Sequence, residues 1–247
     1  MERQKQTRGI VIRRFNLNEA DQIITILTEN EGKMALLAKG SRRLKSRFCG
    51  RLEPFYHVSV NYFQGRELGH LDEAEILQVY TPLESDLKSK GVLFFMAEVT
   101  AKLLADGQEC REVYQLLNEC LSQFEESHSE IILHAYLVKL LTLLGFMAPW
   151  DSCSRSGERL NLFEPLFLSG RDASVVRSGY NEPGDVRLTP SVIKWVNYMQ
   201  KEELANLKRI RPSIGEKAEV YYVMKVIFGS ILNTPFKSEV FLHTVSR

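Results

Sequence analysis

Short apolar runs at strand-like spacing fill residues 8–80. Gly9-Ile10-Val11-Ile12-Arg13-Arg14 is β-branched, and Asp21–Thr28 (DQIITILT) is a second such run. Asn30-Glu31-Gly32 then supplies a turn, because Asn and Gly tolerate a positive φ. Lys33–Ala38 returns as a partner strand. Pro54–Phe63 alternates aromatic and polar side chains after its proline (FYHVSVNYF), Gln64-Gly65 turns the chain, and Leu68–Tyr80 completes a fifth run. Five short strands within about 75 residues predict a small closed barrel, with the OB-fold as the leading candidate.

The period then changes. Thr81-Pro82-Leu83-Glu84 carries a helix start: Thr can cap, Pro suits the first helical position, and Glu can close a capping box. Helical runs follow at 86–106, 110–125 and 128–146, the last opened by Ser127-His128-Ser129-Glu130. In that run Ile131, Ala135, Val138, Leu141 and Leu144 recur at helical intervals. Residues 147–188 lose the periodicity and read as an irregular insert with a small hairpin, built from apolar stretches at 162–168 and 174–177. Thr189-Pro190 starts a helix to about Gln200, Ser213-Ile214-Gly215-Glu216 caps another to about Asn233, and Thr234-Pro235 begins a last short one. The expected organisation is an α+β chain. An OB-fold barrel spans 1–80, a central helical domain 81–146, the insert 147–188, and C-terminal helices that pack back on the central ones span 189–247.

Composition adds bounds. The chain has 247 residues, 44% of them hydrophobic and 26% charged, with a net charge of only +1. Any attraction for a polyanion must therefore come from where charge sits. The N-terminus is charged and leads into no apolar core of a signal peptide. The most apolar stretch, Ile131–Trp150, is broken by His134, Lys139, Thr142 and Gly145, so it reads as a buried helix and not a membrane span. Cys49, Cys110, Cys120 and Cys153 are scattered, as expected for reduced thiols in the cytoplasm.

The charge is concentrated in one segment. Residues 39–51 (KGSRRLKSRFCGR) hold six basic residues, Lys39, Arg42, Arg43, Lys45, Arg47 and Arg51, and no acid. They lie between two predicted strands, in a loop or poorly ordered arm, with Arg13, Arg14 and Lys33 on neighbouring strands. Such a surface attracts phosphates and releases counterions, which gives affinity without sequence information. Aromatic rings could add base stacking. Phe15, Phe55, Tyr56, Tyr62 and Phe63 are expected mainly in the core, whereas Phe48, set among Arg and Lys, is the ring expected to be exposed.

Catalytic patterns are missing from the sequence. Asp72, Glu73 and Glu75, with His70 nearby, read as a charged strand edge and not as a metal site. The five histidines form neither H-x-x-x-H nor H-E-x-x-H, and His134 reads as a hydrogen-bonded core residue. No nucleotide-binding or nucleophile-elbow motif occurs. Cys153-Ser154-Arg155-Ser156-Gly157 has the shape of a zinc knuckle with Ser156 in place of the second ligand, too few donors for a tetrahedral site.

These pieces together resemble the RecO family. Gly9–Ile12 followed by Asn18-Glu19-Ala20-Asp21 is similar to its opening strands. Thr28-Glu29-Asn30-Glu31-Gly32-Lys33 and Leu37-Ala38-Lys39-Gly40-Ser41-Arg42 resemble its T-x-x-x-G turn and A-K-G-x-R motif. Leu52-Glu53-Pro54-Phe55, Leu143-Leu144-Gly145-Phe146, the Cys153–Gly157 segment and Pro235-Phe236-Lys237-Ser238 resemble later elements in the same order. The resemblance implies an OB-fold followed by helices. It also implies non-catalytic binding of single- and double-stranded DNA, annealing without ATP, and a part in DNA repair and recombination. RecR and the acidic tail of single-stranded DNA-binding protein are the partners it implies, with RecA acting downstream. DNA contact carries over to Lys39, Arg42 and the neighbouring basic residues. Competing readings are an RNA-binding OB module, a scaffold for acidic protein tails and, least favoured, a nuclease.

Overall fold

The computed structural model of the chain describes residues 4–65, 68–80, 87–127, 130–207, 211–232, 236 and 238. The expected runs pair as a closed barrel of β1 (Gln4–Asn16), β2 (Gln22–Thr28), β3 (Lys33–Ala38), β4 (Tyr56–Phe63) and β5 (Gly69–Val79). Around the barrel the order is β1-β2-β3-β5-β4, with β3 and β5 parallel and every other pair antiparallel. This is the OB-fold arrangement.

Closure depends on β1, which is longer than its β-branched core. Its first half pairs with β4 and its second half with β2. A register shift between Val11 and Arg13 bends the strand from one neighbour to the other, as bulges do at barrel corners. At Gly9 a Cβ would come within 2.5 Å of both Ile26 Cγ2 and the Leu27 carbonyl oxygen, so only glycine permits this crossing. Alternate residues of the strands fill the interior, among them Val11, Ile24, Ile26, Leu36, Val58 and Tyr62.

The wall has one thin seam. β3 meets β5 only at Leu36↔Gly69 and Leu37↔His70. Past His70 the β3–β4 segment takes the place of a strand: Phe48 and Leu52 enter the barrel core, and the Arg51 guanidinium donates to the Ala74 carbonyl at 3.1 Å. The basic segment is therefore not a poorly ordered arm. It is a chain of turns, with Arg43 N–H donating to Gly40, Ser46 to Arg43, Cys49 to Ser46 and Arg51 to Phe48.

Two helices, α1 (Leu87–Leu103) and α2 (Arg111–Ser127), brace the barrel end away from that segment. Tyr114 on α2 shares a 2.9 Å hydrogen bond with His57 Nε2, and Arg111 pairs with Glu29 at 2.5 Å. The chain groups into two compact units, Met1–His128 with Ser238–Arg247, and Ser129–Lys237. The helix-start signal at 81–84, the cap residues His128 and Ser129, and the Thr234-Pro235 start lie outside the described residues. Ser127 itself falls in α2.

The second unit is built around α3 (Glu130–Leu143), which is buried on nearly every side between α4 (Pro190–Lys201) and α6 (Ile214–Ile231). Both later helices use the expected caps. Thr189 Oγ1 accepts from Val192 N–H, and Ser213 with Glu216 forms a reciprocal capping box. A short α5 (Leu204–Leu207), not expected from the sequence, buries Leu204 and Leu207. The insert is a three-stranded sheet and not a hairpin: β6 (Leu166–Leu168) lies between β7 (Val175–Arg177) and β8 (Val186–Leu188). Three-residue strands fall below the length at which alternation can be read. No described helix is long and apolar enough to cross a membrane.

His134 is buried on α3 as expected, but its Nδ1 has no hydrogen-bond partner among the described residues. Burial pushes its pKa down to about 4, against the pull of Glu130 and with the push of Lys217. The folded unit thus holds a neutral imidazole that the unfolded chain protonates near pH 6.5. Stability from this group is complete above pH 6.5 and is lost as pH falls toward 4. Between pH 7 and pH 5 the native chain should lose roughly 2 kcal/mol more than His134→Leu, as read by urea unfolding at both values. Equal losses in the two proteins would remove His134 as the cause.

Candidate nucleic-acid interface

The interface is built where two loops are tied together. The β1–β2 hairpin turns on Asn18, whose Oδ1 accepts from Ala20 N–H at 2.9 Å and Asp21 N–H at 2.8 Å. Asp21 then reaches the other loop, its carboxylate accepting from Gly40 N–H at 2.7 Å. Gly40 has a φ of 67°, a conformation that lets the chain turn sharply out of β3. Ser41 donates to Gln22, and Arg42 donates from its backbone to the Ala20 carbonyl and from its guanidinium to the Asn18 carbonyl at 2.7 Å. The Gly40 N–H and the Asn18 amide, helped by Lys39 and Arg43, hold the Asp21 carboxyl below the usual range. Asp21 therefore stays ionised and keeps the loops clamped at any ordinary pH.

The clamp fixes the start of the basic segment beside the β1–β2 hairpin, and the structure sorts the basic residues around it. Arg13, Lys39, Arg43 and Lys45 are exposed, and none has a carboxylate within ion-pair distance among the described residues. Arg42 is exposed but spends part of its guanidinium on Asn18. Arg14 pairs with Glu53, and Arg47 pairs with Asp72 at 3.0 Å. Arg51 fastens the β5 edge.

Lys33 departs from the expectation. It sits at the opposite end of β3, about 20 Å of strand from Lys39. Its ammonium binds Asp106 at 3.1 Å and the Ala101 carbonyl at 2.6 Å, so it is a structural cation joining the barrel to α1.

Phe48 also departs. The ring expected to be exposed is 4% exposed and belongs to the barrel core, with the Arg47 guanidinium 5.2 Å above it. The thin β3–β5 seam leaves a space that an apolar side chain must fill, and a local reading of charge around Phe48 cannot see that space. Phe55, Tyr62 and Phe63 are not open rings either, and the exposed one is Phe15, at 53%. Its signal was available in the sequence only through the strand register.

A groove of about 640 Å³ runs beside Arg47 and Arg51 over Gln6, Ser59 and Asn61, but Glu73 and Glu75 also line it. The mixed charge suits phosphate less well than the hairpin end does. Asp72 accepts from Gln4 and Arg47, and Glu73 from Asn61, so these carboxylates act within the sheet surface. Among the described residues no group of three or more His, Cys, Asp or Glu is placed to hold a metal.

The knuckle region does not fit zinc. Cys153 supplies one thiol and Ser156 stands where a second ligand would be. Burial pushes the Cys153 thiol up, but hydrogen bonds from the Ser156 hydroxyl and from the backbone N–H groups of Arg177, Ser156 and Arg155 outweigh it and bring it to about 7. The turn is closed by backbone bonds, with Gly157 N–H donating to Cys153 and Cys153 N–H to Glu158. The insert thus has its own means of holding the turn.

The chain is thus an OB-fold barrel with a cationic loop tied to its β1–β2 hairpin, followed by a helical unit. Family models agree over nearly the whole chain: Recombination protein O N terminal matches residues 1–80, and Recombination protein O C terminal matches residues 84–239. The chain belongs to the RecO family. A DNA repair protein RecO of Thermoanaerobacter sp. (strain X514) is 29% identical over 245 residues, 98% of each chain. One of Bifidobacterium longum (strain DJO10A) is 30% identical, covering 89% of this chain and 94% of the relative.

Proposed function

We propose that the chain is a non-catalytic mediator of DNA repair and recombination that binds single- and double-stranded DNA at the clamped end of its barrel. The supporting observation is the set Arg13, Lys39, Arg43 and Lys45, exposed and with no carboxylate at ion-pair distance among the described residues, with Arg42 held in the clamp between hairpin and loop. Ammonium and guanidinium groups at this spacing neutralise phosphates and displace their counterions. Two strands held near one cationic surface repel each other less, so complementary bases can meet and pair. No covalent bond is made or broken, and no nucleotide is consumed. In this reading the protein acts in the cytoplasm with RecR and the acidic tail of single-stranded DNA-binding protein, and so helps RecA to load on coated strands.

Annealing of two complementary oligonucleotides coated with single-stranded DNA-binding protein, without nucleotide, is the direct test. Catalytic amounts of the chain should accelerate pairing, and added salt should suppress the acceleration. DNA binding with no acceleration would leave a binding protein but remove annealing from its function.

A further inference from the structure

The outer face of β1–β3 carries an apolar row that a purely electrostatic surface does not need. Cross-strand register places Phe15 opposite Ile23, and Ile23 opposite Leu37. Residues directly opposite in antiparallel strands share a face. This row faces outward, because Arg14↔Ile24 and Ile24↔Leu36 form the neighbouring row and Ile24 and Leu36 are fully buried. Phe15 is exposed, and Ile23 and Leu37 are partly so. The row spans three strands, about 10 Å. Cations flank it: Arg13 is two residues before Phe15 on the same strand, and Lys39 follows Leu37 by two residues, in the turn out of β3.

We infer that this Phe15–Ile23–Leu37 row is a platform for unpaired DNA bases, and that it sets a preference for single strands over duplex. The inference rests on the DNA-binding reading and adds to it the residue that tells a single strand from a duplex. Charge complementarity decides the occupant: a ligand that lies between Arg13 and Lys39 and also covers an apolar row must have anionic groups at its margins and flat apolar faces between them. An unpaired strand has that pattern. A duplex keeps its base faces stacked inside and shows phosphates and polar groove edges, so it engages the cations and gains little from the ring. Phe15 is thus a specificity residue, and the cations supply affinity common to both substrates.

The test uses the full chain, with binding read by fluorescence anisotropy. Three labelled probes of equal length are compared: a single strand, the same strand with abasic sites throughout, and a duplex. Phe15→Ala should weaken single-strand binding roughly tenfold, the scale of one lost stacking contact, and leave the abasic strand and the duplex unchanged. Phe15→Trp should keep single-strand affinity, and its added fluorescence should be quenched by the single strand but not by the abasic one. Unchanged duplex binding also reports that the variant is folded. Equal weakening on all three probes, or no weakening on any, overturns the inference and leaves the basic surface standing. Failure of the native chain to bind any probe overturns the DNA-binding reading itself.

Discussion

Replacing Arg13, Lys39, Arg43 and Lys45 together by alanine should lower the slope of log K against log salt for single-stranded DNA by about 3, since each phosphate contact contributes about 0.7. At 0.1 M salt the same arithmetic gives an affinity loss of roughly 10²–10³-fold. The fold should survive, because these side chains are exposed, none has a carboxylate at ion-pair distance among the described residues, and Asp21 keeps its bonds from Gly40 N–H and the Asn18 amide. The matched control is Arg14→Ala with Arg47→Ala. Those guanidinium groups already sit on Glu53 and Asp72, so their removal should change the slope by much less than two contacts' worth. Titrations of both variants at several salt concentrations decide the matter. An unchanged slope in the first variant would sink the proposed interface. A larger change in the second would move the interface to the groove beside Arg47 and Arg51.

Phe48→Ala should destabilise the barrel by about 3–5 kcal/mol, the usual cost of emptying a buried aromatic site. The effect reaches DNA although the ring is not placed to touch it. Phe48 and Leu52 anchor the β3–β4 segment in the core, and that segment carries Lys39, Arg43 and Lys45. Once the anchor is lost, the cations are no longer held in register with the hairpin, and ordering them on binding costs conformational entropy. DNA affinity should therefore fall together with stability, and Phe48→Leu, which refills much of the space, should restore most of both. Urea unfolding and DNA titration of the two variants provide the check. If Phe48→Ala left stability within about 1 kcal/mol of native while binding fell sharply, the ring would be meeting bases directly, contrary to its burial.

The two expectations separate what holds the interface from what contacts the ligand. Asp21 belongs to the first group. It is an acid in the middle of a basic surface, and its carboxylate orders the loop by accepting from Gly40. Residue-by-residue charge counting would score it as unfavourable, whereas its geometry makes it a tie between hairpin and loop.

Much was legible in the sequence because it depends on local pattern. Alternation in Phe55–Phe63, β-branched runs, the caps at Thr189 and Ser213, and the density of Lys and Arg in 39–51 each follow from side chains a few residues apart. They determined the barrel, most of the helices, the basic segment and the family. The fates of Phe48, Lys33 and Phe15 were decided by tertiary structure. Phe48 was drawn inward by a seam between β3 and β5, strands separated by thirty residues of chain. Lys33 was neutralised by Asp106 on a distant segment. Phe15 was turned outward by a bulge at Val11/Arg13 that reverses the alternation of everything after it. Burial and ion pairing depend on what arrives from elsewhere in the chain, and a one-residue shift in strand register exchanges the inner and outer faces. The sequence alone therefore determined which residues could bind a polyanion, and only the folded chain decided which of them are free to do so.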